Sequence, residues 1–195
     1  DGRLGIGIAD VVGKGVPAAL LMASIRAALR TYSTRASTAA QAIGYVNEHM
    51  YRDTDPQEFA TFFYGIFAAD GDRLSYCNAG HEPPVLLRGQ DFVRLDAGGL
   101  VIGAFADAHY EGGELRVLPG DVLILTTDGT TEAMNFENEV FGRARMRESI
   151  LRHRALEAAP MAQQILWDIR RFVGLADQSD DIALVVVKAN GGFGN

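Results

Sequence analysis

Three acidic positions stand where strand-like runs end or begin. Asp10 closes an alternating stretch in which Leu4, Ile6 and Ile8 share one face. Asp128 ends DVLILTTD, and the pair Asp180-Asp181 opens IALVVVK. Carboxylates held at strand ends suit hard cations, because magnesium and manganese prefer carboxylate and water oxygens. Aspartates gathered at one spot repel one another unless a cation or protons compensate. Any one of them alone reads as a turn aspartate. All of them in the same strand-end setting make a candidate centre for Mg²⁺ or Mn²⁺.

Other chemistries find less support. Gly13 and Gly15 permit backbone angles closed to other residues, and Pro17 suits the first turn of a helix. Gly13-Lys14-Gly15 nevertheless lacks the spacing of a phosphate-binding P-loop. Phosphatases with a nucleophilic aspartate need a second carboxylate two residues on, where this chain has Thr130. There is no G-x-S-x-G elbow and no histidine or cysteine spacing that suggests zinc. His49 lies on the polar part of a helix and His109 in a loop, while His153 in Arg152-His153-Arg154 reads as a solvated helix end. His81 follows Asn78-Ala79-Gly80 ahead of two prolines and reads as a structural loop residue, the one histidine worth testing.

The elements that must position these residues follow from pattern. A strand over 4–10 leads through the glycine turn to a helix over 16–32, with Leu20, Leu21, Ile25, Ala28 and Leu29 as its apolar stripe. A second helix follows a Thr38 N-cap and uses Ile43, Val46 and Met50. Strands are predicted over 59–69 and 73–80 around Asp70-Gly71-Asp72, and over 84–88 and 91–95 around Gly89-Gln90. GGLVIGAF carries close-packing glycines, and strands over 113–118 and 121–128 flank Pro119-Gly120. Helices near 143–152 and over 158–172 come next, the latter with Met161, Ile165, Trp167, Ile169 and Phe172 at apolar positions, then a last strand over 182–188. Short strands joined by hairpins indicate antiparallel sheets. Two such sheets face to face, each covered by a helix pair, would bury all these stripes.

Composition sets outer bounds. The chain has 195 residues, 48% of them apolar, which fits a globular domain with a sizeable core. With 18 basic and 25 acidic residues the net charge is −7, and no basic face offers a nucleic-acid surface. The single cysteine, Cys77, rules out an internal disulfide framework, reads as core and fits a reducing compartment. No run approaches the ~20 apolar residues of a membrane span, and no basic-then-apolar leader opens the chain, which therefore reads as cytoplasmic.

Several segments then occur in one order: ADVVGKGVPAALLMA, FATFFYGIF followed by LSYCNAGHEPPVLL, GGLVIGAF, GDVLILTTDGTTEAMN and SDDIALVVV. Together they resemble the bacterial branch of the metal-dependent PPM serine/threonine phosphatases, the SpoIIE/RsbU-like regulators of anti-sigma-factor antagonists. The likeness runs to about Lys188, so residues 1–188 are expected to be one phosphatase domain and 189–195 a flexible tail. It implies an α+β fold, a four-layer α-β-β-α sandwich with a binuclear Mg/Mn centre between its sheets. By motif, Asp10 matches the metal-bridging aspartate and Val11 the residue whose backbone carbonyl helps ligate. Asp128 matches the DG aspartate and Asp180 that of the last motif, a place that a one-residue shift would give to Asp181. Gly13, Gly15 and Gly129 would shape the ligand loops, and His81 would play a structural part in the NAGH segment.

The implied activity is hydrolysis of phosphoserine or phosphothreonine by metal-activated water, on an anti-sigma-factor antagonist. The family carries a further metal aspartate on an upstream strand, in a GGD-type motif that this chain does not contain. The N-terminal strands are thus expected to be missing, and the chain alone to hold metal incompletely and turn over little. The exposed sheet edge would allow a dimer, and a sensory domain is expected upstream. Val12 stands where eukaryotic relatives have a histidine proposed as general acid. The rival reading is a pseudophosphatase that docks a partner without turnover; a small-molecule phosphatase is a weaker third.

Overall fold

The computed structural model describes residues 2–55, 57–176 and 180–190. In chain order the elements are β1 (Leu4–Val11), α1 (Val16–Tyr32), α2 (Ala39–Asp53), β2 (Ala60–Phe67), β3 (Arg73–Ala79), β4 (Val85–Arg88) and β5 (Asp91–Arg94). They continue with β6 (Gly98–Gly99), β7 (Gly113–Arg116), β8 (Val122–Thr126), α3 (Gly142–His153), α4 (Ala158–Val173) and β9 (Leu184–Lys188). These described residues fall into two compact units, one from stretches 2–83 and 95–118, the other from 84–94 and 119–190. Each unit is a sheet with a helix pair.

In the first unit the strand order is β1-β2-β3-β6, and β7 also pairs with β3. Period-two alternation on β2 turns Phe62, Tyr64 and Ile66 toward a core shared with Leu21, Ile25 and Ala28 of α1 and with Ile43, Val46 and Met50 of α2. Thr38 caps α2 by accepting the Gln41 amide at 3.2 Å, while Gln41 Oε1 accepts the Ser37 amide at 2.8 Å. Leu20 departs from the predicted stripe of α1 and is 64% exposed, because Ala18, Leu21, Ile25 and Ala28 fill the buried arc.

GGLVIGAF does not make a long strand. Gly98–Gly99 pairs in parallel with Asn78 and Ala79, the one departure from antiparallel pairing among the described strands, and Ile102 makes a single antiparallel bridge to Ala60. A Cβ on Gly98 would collide with the Asn78 backbone, so glycine permits the approach. Beyond it the Asn47 side chain replaces a ladder: it accepts the Gly103 amide at 2.9 Å and donates to the Phe105 carbonyl at 3.0 Å.

In the second unit the order is β5-β4-β8-β9, all antiparallel. Leu87, Val122 and Ile124 pack with Met146 and Ile150 of α3 and Met161, Ile165 and Ile169 of α4. Trp167, placed by sequence among the apolar positions, is 63% exposed; α4 buries only Met161, Ile165 and Ile169 fully. The strands flanking Pro119-Gly120 do not pair with each other: β7 joins the first sheet and β8 the second. His153 is not solvated either. Its Nε2 lies 3.0 Å from Asp168 Oδ2, which also receives Ser149 Oγ at 2.7 Å and Arg152 at 3.2 Å. Within the expected tail, Ala189 exchanges backbone hydrogen bonds with Gly120 and Asp121, while 191–195 lie outside the described residues.

Candidate metal centre

The second unit brings together two of the acidic positions. β8 ends at Thr126, and the chain turns at Asp128 into a single 3-10 turn, Asp128–Thr130. The Asp128 carbonyl accepts the amides of Thr131 and Glu132, both at 2.9 Å. Across the sheet, Thr127 ties this turn to the strand that follows Asp180 and Asp181. Its hydroxyl donates to the Asp181 carbonyl at 3.0 Å and accepts the Ala183 amide at 2.9 Å, and its own amide donates to the Ala183 carbonyl at 3.2 Å. Gly129 closes the gap: a Cβ there would collide with the Asp181 carbonyl and approach the carbonyl carbon of Asp180 within 3.4 Å. Only a residue without a side chain lets the two acidic segments lie this close.

The chemistry of the donors fits a hard cation. Asp128 Oδ1 is shielded from solvent and has no hydrogen-bond partner among the described residues. A buried carboxylate oxygen left unpaired costs free energy unless a cation or proton takes it up. Asp180 is exposed, lies with Gly129 at the edge of a cavity, and accepts the Asp181 amide on Oδ1 at 2.8 Å. Asp181 is exposed as well, with its carbonyl already engaged by Thr127.

The remaining candidates belong to the first unit. Asp10 and Val11 end β1, opposite Thr61 and Ala60 of β2. The Val12 amide donates to the Phe59 carbonyl at 3.0 Å, which holds the start of the loop. Gly13 and Gly15 both have positive φ, 88° and 78°, and Gly15 precedes the first residue of α1. His81 is 5% exposed: its Nδ1 lies 2.8 Å from Thr61 Oγ1, its amide donates to Asn78 Oδ1 at 2.7 Å, and its carbonyl accepts Asn78 Nδ2 at 3.0 Å. His81 is thus fastened to Thr61, the register partner of Asp10. Among the described residues, no group of three or more histidine, cysteine, aspartate or glutamate side chains is gathered so as to hold a metal ion. The described arrangement that favours a cation is Asp128 with the Asp180-Asp181 segment.

Two positioning residues escaped the sequence reading. Thr127 was hidden in the polar run TTDGTT, where only the strand register identifies its partner. Thr61 lies in the strand predicted over 59–69, with no local sign of its bond to His81.

Residues 1–190 match the family described as Stage II sporulation protein E (SpoIIE). A relative from Bacillus subtilis (strain 168), phosphoserine phosphatase RsbU, is 31% identical over 187 residues, covering 95% of this chain and 55% of its own length. The chain spans 34% of the length of two further curated relatives. Among solved structures, the SiaA-PP2C domain of Pseudomonas aeruginosa superposes with a TM-score of 0.84 at 20% identity, over 96% of this chain and 80% of that one. The catalytic domain of the serine/threonine protein phosphatase PstP, solved with 2 manganese ions, gives 0.66 at 17% identity, over 93% and 85%. The two antiparallel sheets and four helices are thus those of the PP2C phosphatase fold. Among the described residues, no helix is long and apolar enough to cross a membrane.

Proposed function

The chain belongs to the SpoIIE family, as a SpoIIE/RsbU-like domain of the PPM type, and on that footing we propose that it removes phosphate from phosphoserine or phosphothreonine on a protein. Asp10, Asp128, Asp180 and the Val11 carbonyl would hold Mn²⁺ or Mg²⁺, with two ions in the complete centre. The observation that carries this reading is the shielded Asp128 Oδ1, unpaired among the described residues beside Gly129 and the Asp180-Asp181 segment.

A bound divalent ion supplies Lewis acidity toward water and toward phosphoryl oxygens. The chain's own residues prepare its seat. Thr127 fixes the spacing of the two acidic segments, Gly129 keeps their backbones in contact, and Asp180 lines the neighbouring cavity. His81, bonded to Thr61 on β2 opposite Asp10, would have a positioning role. Asp181 serves the backbone turn and is the alternative ligand.

The substrate is a phosphorylated anti-sigma-factor antagonist in a partner-switching pathway, in the cytoplasm, with a regulatory domain elsewhere in the same polypeptide. The likeness to a phosphoserine phosphatase of greater length supports this reading. Phosphate release by the full-length protein in manganese is the test. A phosphorylated antagonist should be turned over with kcat/KM well above that of free phosphoserine, because remote contacts contribute to transition-state stabilisation. Asp128→Asn should abolish turnover and leave the circular dichroism spectrum intact. Equal kcat/KM for both substrates would mark a small-molecule phosphatase, and no manganese-dependent turnover of either would defeat the proposal.

A further inference from the structure

The cavity beside Asp180 offers more than a phosphoryl seat. Its volume is about 180 Å³, below the ~300–1,000 Å³ of small-molecule pockets and suited to a single side chain. Met134, Ile169, Val173 and Ile182 make an apolar lining, while Gly129 and Asp180 join it to the candidate metal centre. Arg170, in the last turn of α4, is exposed and is the cation among the residues that line it.

One wall is a loop built before any ligand arrives. Asn135 Oδ1 accepts the amides of Glu137 and Glu139, at 3.0 and 2.9 Å, and Asn138 adopts a positive φ of 60° to close the turn. Met134 pairs with Val140 across this turn, and the Ala133 carbonyl accepts the Phe141 amide at 2.8 Å. The loop nonetheless leaves Met134, Phe136 and Val140 exposed. Apolar side chains held out on a pre-ordered loop cost little further ordering when a partner covers them, and methionine adapts to varied shapes.

We propose that this cavity reads the substrate beside its phosphoserine: it takes one apolar side chain of the phosphoprotein, and Arg170 pairs with a nearby substrate carboxylate. The proposal rests on the phosphatase reading above. Two features select this occupant. The cavity is continuous with Gly129 and Asp180, so a chain delivering its phosphoryl group there must pass over it. With Asp180 assigned to the metal, Arg170 is left as the lining charge, and it complements an acidic residue.

The test uses the full-length protein with manganese and phosphoserine peptides in an alanine background. A single leucine and a single aspartate are walked through the positions on either side of the phosphoserine. One leucine–aspartate arrangement is expected to raise kcat/KM by about tenfold or more over the all-alanine peptide. Arg170→Glu should collapse that preference and transfer it to the peptide carrying lysine in place of aspartate, while Arg170→Lys keeps most of it. Met134→Asp should abolish the leucine preference. A flat panel, or a preference that survives both Arg170→Glu and Met134→Asp, overturns the cavity's role while leaving the phosphatase reading in place. If neither the peptides nor p-nitrophenyl phosphate is hydrolysed, the phosphatase reading fails instead. The cavity is then judged by fluorescence anisotropy of the same peptides, where equal affinity for the leucine–aspartate and all-alanine peptides overturns it.

Discussion

The hydroxyl of Thr127 donates to the carbonyl of Asp181 at 3.0 Å and accepts the amide of Ala183 at 2.9 Å. One side chain therefore sets the spacing between the turn carrying Asp128 and the segment carrying Asp180. Thr127→Val keeps the volume and loses both bonds. At about 0.5–1.5 kcal/mol net for each, the loss should come to roughly 1–3 kcal/mol, with the Ala183 amide left short of an acceptor. Thr127→Ser should recover most of it. Urea unfolding of the two variants decides the point: equal stability of valine and serine forms would mean the bonds contribute nothing.

Gly129→Ala tests the same contact from the other side. The added Cβ would overlap the Asp181 carbonyl, which is backbone and has little room to move. Overpacking of this kind costs about 1–3 kcal/mol, and relief must come from displacing the acidic segments relative to each other. The variant should therefore lose manganese affinity as well as stability. Calorimetric titration showing unchanged affinity would separate Gly129 from the metal centre.

Why some of this was legible in sequence and some not is a matter of range. The 3.6-residue spacing of Leu21, Ile25 and Ala28, and the Thr38–Gln41 cap, are local, and both helices of the first unit form where they predict. Asp10, Asp128 and Asp180 are candidates in sequence because the end of a strand-like run is also a local feature. Thr127 bonds to a residue 54 positions away, and no window of sequence contains that register. Pro119-Gly120 announces a turn but says nothing of which sheet each flanking strand joins. His153 sits in a basic run that looks solvated, and only the packing of α3 on α4 brings Asp168 to it.

That contact has a pH signature. Burial pushes the Asp168 carboxyl up, but hydrogen bonds from Ser149 and His153, with the charges of His153 and Arg152, outweigh it and hold the group below its ordinary value. A carboxyl depressed in the folded chain stabilises fully above its unfolded value, about 3.9, and this contribution drains away as pH falls through the folded value. Stability should thus drop on the acid side, and Asp168→Asn should flatten that limb while lowering stability at neutral pH. An acid limb of unchanged slope in the variant would exclude Asp168 as its source.

Cys77 should be inert. Burial pushes its thiol up to about 12, and the side chain is fully buried in the first unit's core. Alkylation proceeds through the thiolate, so iodoacetamide at about pH 8, close to the ~8.5 of an ordinary thiol, should label the unfolded chain and spare the native one. Rapid native labelling, followed by mass spectrometry, would indicate that β3 opens locally.

The last prediction separates Asp180 from Asp181, which sequence alone leaves interchangeable. Asp180 lines the cavity with Gly129, whereas Asp181 commits its carbonyl to Thr127 and its amide to Asp180 Oδ1. Its part is thus played by its backbone, and Asp181→Asn keeps that backbone. A cation that binds only the native state raises stability by about 2.7 kcal/mol at a hundredfold excess over its dissociation constant, enough to register in Tm. Manganese should therefore raise the Tm of the wild type and of Asp181→Asn alike. Asp128→Asn and Asp180→Asn should lose most of that rise, because each removes a charge and an oxygen donor that a hard cation prefers to an amide. In metal-free buffer Asp128→Asn should be at least as stable as wild type, since it removes a shielded carboxylate oxygen that has no partner among the described residues. A manganese shift retained by Asp180→Asn and lost by Asp181→Asn would exchange the two roles and move the metal one residue along the chain.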